Sequence, residues 1–199
     1  MGKDSFISSF LKKAEQELNL PSGAVLDFPN EDDWSFIIKI TALIERTINY
    51  LVTSDLNDDH VSELIIGQKL RQKLNLAKNR KIIDPKTFEI FKYVSELRNK
   101  AAHNFLFTFE EIFKDSDSLN AYKGKFMDVW NNPVQVGDKK VQAKQFIVEN
   151  PRITIFMDVI GRLSISNLEV ETLAIKRDRD KLGEMTELFG AFKATFKKD

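Results

Sequence analysis

Apolar residues recur every three or four positions along most of this chain, and that spacing belongs to helices rather than strands. Phe6, Phe10, Ala14 and Leu18 form one such stripe. Phe36, Ile40, Leu43, Ile44, Ile48 and Leu51 form a second, and Ile66, Leu70, Leu74 and Ala77 a third. Phe88, Phe91, Val94, Leu97 and Ala101 form a fourth. Each stripe must bury its apolar face against another element, so the expected class is an all-α helical bundle.

Turn and cap residues punctuate these stripes. Leu20-Pro21-Ser22-Gly23 closes a first helix over residues 4–19. Asn30 reads as the N-cap of the second, with Asp32 and Asp33 in its first turn, and that helix runs to about Val52. Residues 55–59 are a polar turn, after which one helix is expected from about Val61 to Ala77. Asp84 caps the next helix, with Pro85 at its first position. Residues 105–130 fit one or two shorter helices. Residues 134–143 alternate around Gly137-Asp138, the pattern of a small β-hairpin or of a loop. Asn150-Pro151 opens a helix carrying Ile155, Phe156, Val159, Ile160 and Leu163. Residues 168–197 then read as one or two charged helices, broken near Gly183 or Gly190. The implied organisation is an N-terminal helix and linker over 1–30, a bundle over 31–170 and a C-terminal helical extension over 171–199.

Composition excludes several function classes. Thirty Lys and Arg balance thirty Asp and Glu, which rules out a strongly basic coat and an acidic tail but not a local basic stripe. There is no Cys, so disulfides, thiolate nucleophiles and zinc fingers are excluded. No secretory leader or membrane span is read, and a soluble, cytoplasmic protein is expected. His60 and His103 are the two histidines, and neither belongs to H-E-x-x-H. Phosphate-cradling glycine loops and the G-x-S-x-G elbow are also missing.

One short string carries chemistry: Arg98-Asn99-Lys100-Ala101-Ala102-His103, at the end of the fourth stripe. A histidine can take or give the proton of a ribose 2′-hydroxyl, and an arginine can hold a phosphate bidentately. Asn99 can position either group. RNA cleavage needs no more side chains than these. On a continuous helix, however, Arg98 and His103 lie about 140° apart. Either the helix ends, kinks or bulges near Ala101-Ala102, or a second copy faces the motif across a dimer axis. The same string can also simply close a helix, with Arg98 paired to an acid and His103 beside the negative helix end. Glu45 is the carboxylate expected to reach Arg98.

Lys69, Arg71, Lys73, Lys78, Arg80 and Lys81 place six cations in thirteen residues with no acid among them. Such a stripe can track a phosphate backbone or can be a solvated helix face. His60 reads as a surface residue near a helix start. The phenylalanines read as core or dimer interface rather than as platforms for nucleobases.

The string Leu97-Arg98-Asn99-Lys100-Ala101-Ala102-His103-Asn104 resembles the HEPN superfamily, all-α domains marked by R-x(4–6)-H after a long helix. Over roughly residues 34–170 the chain is more closely similar to the mannitol operon repressor family (MltR). In that comparison Lys73 to Ala77 corresponds to a basic helix, Phe88 to Leu97 to a spacer helix, and Arg98 to His103 to the family's I-R-N-x-F-A-H. Pro151 to Phe156 corresponds to a later R-x-x-F segment. Ala101 stands where that family prefers Phe. The resemblance implies an antiparallel helical bundle with additional C-terminal helices, which dimerises through the motif helices. It implies either a metal-independent endoribonuclease of a toxin–antitoxin or phage-defence kind, or a non-catalytic transcriptional or regulatory module. In the first case Arg98, Asn99 and His103 are the site, with Glu45 accessory and RNA the substrate. No cofactor is implied. An antitoxin or regulatory protein is the partner beyond a second copy.

Overall fold

A computed structural model describes residues 6–57, 59–113, 120–130, 135–136, 139–140 and 143–196. Helix α1 (Phe6–Glu17) is followed by a 3-10 turn, Ala24–Asn30, then α2 (Asp33–Leu56), α3 (Asp59–Ile66), α4 (Leu70–Asn79) and α5 (Pro85–Ala102). Two short helices come next, α6 (Phe109–Phe113) and α7 (Asn120–Val129). A two-residue ladder then pairs Gln135 with Lys140 and Val136 with Lys139, antiparallel. Helices α8 (Ala143–Glu149) and α9 (Pro151–Phe196) complete the all-α chain.

Helix α2 is the axis of the bundle. Its expected inward residues, Phe36, Ile40, Leu43, Ile44, Ile48 and Leu51, are all fully buried. Helices α4, α5 and α9 pack around it. Arg152 at the start of α9 lies 3.3 Å from Asp33 at the start of α2. Arg177 donates to the carbonyls of Ser54 (2.9 Å) and Asp55 (3.2 Å) at the other end of α2. The two helices therefore run parallel. Trp34, by contrast, meets the last turn of α5, so α5 runs antiparallel to α2. A second layer of core is aromatic: Tyr93, Phe109, Phe126 and Trp130 interlock, with Phe126 and Trp130 rings 4.6 Å apart. Among the described residues, no helix is long and apolar enough to cross a membrane.

Three sequence expectations are corrected. The cap of α2 is Asp32, not Asn30: its carboxylate accepts the Ser35 amide at 2.9 Å, while Asn30 belongs to the 3-10 turn. The single helix expected over 61–77 is two helices, interrupted at Gly67-Gln68-Lys69. The interruption changes the face, so Ile65 is buried and Ile66 exposed. Helix α9 is continuous through Gly183 and Gly190, because glycine weakens a helix by only about 1 kcal/mol and does not end one. Helix α8 had no counterpart in the sequence reading.

Candidate functional site

Helix α5 forms as its cap predicts. Asp84 accepts the amides of Lys86 (2.8 Å) and Thr87 (3.0 Å), and Pro85 opens the first turn. Partial burial pushes the Asp84 carboxyl up, but the bonds from Thr87 and Lys86 and the charge of Arg162 outweigh it, and its pKa lies below the ordinary value. Phe88, Phe91, Val94, Leu97 and Ala101 face inward.

The other face of α5 carries the motif. Arg98, Asn99, Ala102 and His103 are all exposed. Arg98 Nη1 donates to Asn99 Oδ1 at 3.3 Å. The helix stays regular through Ala102, and His103 is its C-cap, with φ −101° and ψ −2°. The helix thus ends at Ala102, one of the alternatives the motif required, but it ends without a kink; ideal helical spacing carried on to His103 sets it about 140° from Arg98, on the other edge of the exposed face. Between those edges runs a strip of short side chains, Ser95, Asn99 and Ala102. Within one chain no described hydrogen bond joins Arg98 to His103.

A structured turn follows. The amides of His103 and Asn104 bond to Lys100 and Ala101 carbonyls (3.2 and 3.1 Å), and Phe107 N bonds to Asn104 O at 3.0 Å. Asn104 Oδ1 accepts the Leu106 amide at 3.0 Å. Phe107 is buried beneath the turn, which leaves Phe105 82% and Leu106 80% exposed. The Trp34 indole donates to the Ala101 carbonyl at 2.9 Å, and its ring lies 6.0 Å from that of Phe105. Burial pushes the Lys100 ammonium below its ordinary pKa, with Glu111 partly offsetting this.

The remaining predicted residues separate. Glu45 does not meet Arg98. It accepts from Lys73 at 2.9 Å, and Lys73 is only 1% exposed. A buried ammonium needs a carboxylate more than an exposed guanidinium does, which decides where Glu45 goes. Lys73 is thereby removed from any nucleic-acid surface. Arg80 pairs with Asp55, and Lys78 sits 4.5 Å above the Phe88 ring. Lys69, Arg71, Lys78 and Lys81 are exposed with no carboxylate at ion-pair distance among the described residues. His60 lies in α3, and its side chain is outside the described residues.

Three features of this end of the molecule were missed from sequence: the pinning of Ala101 by Trp34, the buried ammonium of Lys100, and the outward Phe105-Leu106 pair. A readable signal existed for the last. Residues 98–108 contain Arg98, Lys100 and His103 but no acid, and run into three consecutive apolar residues, Phe105-Leu106-Phe107.

Comparison of the chain with protein-family models, with curated proteins and with solved structures returned no match.

Proposed function

We propose that the chain is a HEPN-like, metal-independent endoribonuclease that works as a homodimer. His103 is the acid/base, Arg98 holds the phosphate, and Asn99 orients Arg98. The observation that carries this reading is the arrangement on α5: two exposed candidate groups on opposite edges of a strip of short side chains. Short side chains let a second α5 approach closely. A two-fold axis through the strip sets Arg98 of one copy against His103 of the other, which resolves the 140° separation without distorting the helix.

The chemistry follows from the groups. His103 removes the proton of a ribose 2′-hydroxyl. The 2′-oxygen attacks the adjacent phosphorus and the bond to the 5′-oxygen breaks. The same His103, now protonated, returns that proton to the 5′-oxygen, and a 2′,3′-cyclic phosphate remains. Arg98 binds the non-bridging oxygens as their charge grows.

The test is incubation of the purified chain with labelled total RNA and transfer RNA in EDTA, beside His103→Ala and Arg98→Ala. Cutting that survives EDTA and is lost in both variants supports the enzyme. RNA left whole by the wild type, or cut equally by His103→Ala, contradicts it.

A repressor-like interaction module without catalysis is the second reading. The exposed Phe105 and Leu106 favour it, because side chains of that size suit a protein surface. It predicts a dimer that depends on the motif face, with no cleavage.

A further inference from the structure

Helix α9 outlasts the bundle it packs on. Arg177 ties it to the Ser54 and Asp55 carbonyls in the last turn of α2. Beyond that tie every described side chain, from Asp178 to Thr186, is exposed. The helix nevertheless continues to Phe196, another 19 residues or about 28 Å. Gly183 and Gly190 lower its intrinsic helicity, and a helix standing in water draws most of its stability from packing. Its sequence holds the means to pack. Leu168, Ile175, Leu182, Phe189 and Phe196 recur every seven residues, and Met185 and Phe192 add a second apolar position to each repeat from Leu182 onward. In the two earlier repeats that second position holds Glu171, which accepts from Lys13 at 2.9 Å, and Asp178. The two-row seam therefore belongs to the part of α9 that has left the bundle, where Leu182 is 66% and Met185 53% exposed.

Charge is sorted around this seam. Helical spacing puts Arg179, Lys181 and Lys193 about 60–100° from its midline and Asp180, Glu184 and Glu187 about 120–180° away, while Asp178 stands in line with it at its base. The six positions that flank the two rows, 179, 181, 186, 188, 193 and 195, hold three cations and no acid. Flanking charges choose the partner of a helix that packs by a seven-residue repeat. A second copy brings only cationic flanks to the seam, whereas acidic flanks complete it. A helix that lies on a lipid surface needs a broader apolar face than two rows in seven.

We propose that residues 178–196 of α9 are a docking arm for a partner protein helix with apolar residues at the same seven-residue repeat and carboxylates along both edges. The arm leaves the bundle at the end of α2 opposite to Trp34 and the 98–103 motif, so the partner is held without covering that motif. The proposal is independent of whether the motif cleaves RNA.

The probes are two fluorescein-labelled peptides of three heptads, each with Leu at both seam positions; one carries Glu and the other Lys at the flanking positions. Binding to the full-length chain is followed by anisotropy. The acidic peptide is expected to bind about tenfold or more tightly than the basic one. Leu182→Glu with Phe189→Glu is expected to abolish binding. Circular dichroism melting of that variant separates lost docking from lost folding, and its melting temperature is expected to match the wild type. Arg179→Glu with Lys181→Glu and Lys193→Glu is expected to reverse the preference, so that the basic peptide binds the more tightly. Failure of the acidic peptide to bind, equal binding of the two peptides, or a preference that survives the charge reversal overturns the proposal. So do two results that give the arm another occupant. A fall in the molecular mass of the free chain on Leu182→Glu with Phe189→Glu, measured by sedimentation, assigns the seam to a second copy. Co-sedimentation of the wild type with phosphatidylglycerol vesicles, lost in the same variant, assigns it to a membrane surface.

Discussion

Trp34 on α2 donates its indole N–H to the carbonyl of Ala101, inside the motif, at 2.9 Å. That bond crosses 67 positions of sequence and fixes the last turn of α5 to the first turn of α2. It also holds the indole beside Phe105. Trp34→Phe keeps the ring and removes the donor. We expect it to destabilise the fold by about 1 kcal/mol, a fall in melting temperature of about 2–4 °C for a chain of this size. Thermal unfolding by circular dichroism checks this. An unchanged melting temperature would mean that the bond does not anchor the motif.

Lys73 and Glu45 make a prediction that separates structure from binding. Lys73 is buried and Glu45 is half-exposed. Lys73→Met replaces a buried ion with an apolar side chain of similar volume, a change that is often neutral or stabilising. It leaves an exposed carboxylate, which water solvates. Glu45→Ala instead strands the ammonium, and we expect a loss of about 1–3 kcal/mol. Urea unfolding of the two variants should rank them in that order. RNA affinity and its salt dependence should be the same in Lys73→Met as in the wild type, whereas Arg71→Ala should shallow the salt dependence by about one phosphate contact.

Asp84 sets an acid limit on stability. Its carboxyl is held below the ordinary value in the folded chain. A depressed folded pKa means that the unfolded state binds the proton more readily. The stabilisation is therefore present at neutral pH and is lost as pH falls below about 4, through the folded value. Asp84→Asn cannot titrate, yet it still caps α5. We expect the wild type to exceed Asp84→Asn in stability at pH 7 and the gap to close on acidification. A gap constant with pH would show that the carboxylate's charge is not what stabilises the cap.

The continuity of α9 predicts a stabilising substitution. A methyl group on Gly183 would meet no atom within 4 Å, and the backbone there is helical. Gly183→Ala should stabilise the chain by about 0.4–1 kcal/mol and leave RNA cleavage unchanged. Destabilisation would mean that the helix breaks there.

The stripes of α2 and α5 were legible because apolar spacing, cap and first-turn proline all agree over long segments. Asp84-Pro85 and the run from Phe88 to Ala101 are the clearest instance. The division of α3 from α4 was not legible. Ile66, Leu70 and Leu74 keep helical spacing straight across Gly67-Gln68-Lys69, so periodicity alone cannot see the interruption. Asn30 and Asp32 are both good caps, and only the 3-10 turn decides between them. Spacing singled out Arg98, Asn99 and His103 as candidates, and the structure exposes all three at the end of α5. The partner of Glu45 was not, because pairing across 28 positions depends on which cation packing buries. Nor does sequence distinguish the exposed Phe105 from the buried Phe107. A turn geometry set by Asn104 makes that choice.

The central claim is that two copies complete one site, with Arg98 from one and His103 from the other. Mixing Arg98→Ala with His103→Ala in equal amounts, after brief unfolding and refolding to exchange subunits, tests it directly. Each variant alone should leave RNA intact in EDTA. In the mixed dimer one of the two sites carries both native residues, so the mixture should recover about a quarter of wild-type cleavage. If the mixture stays as inactive as its components while wild type cuts, the site does not form across the dimer.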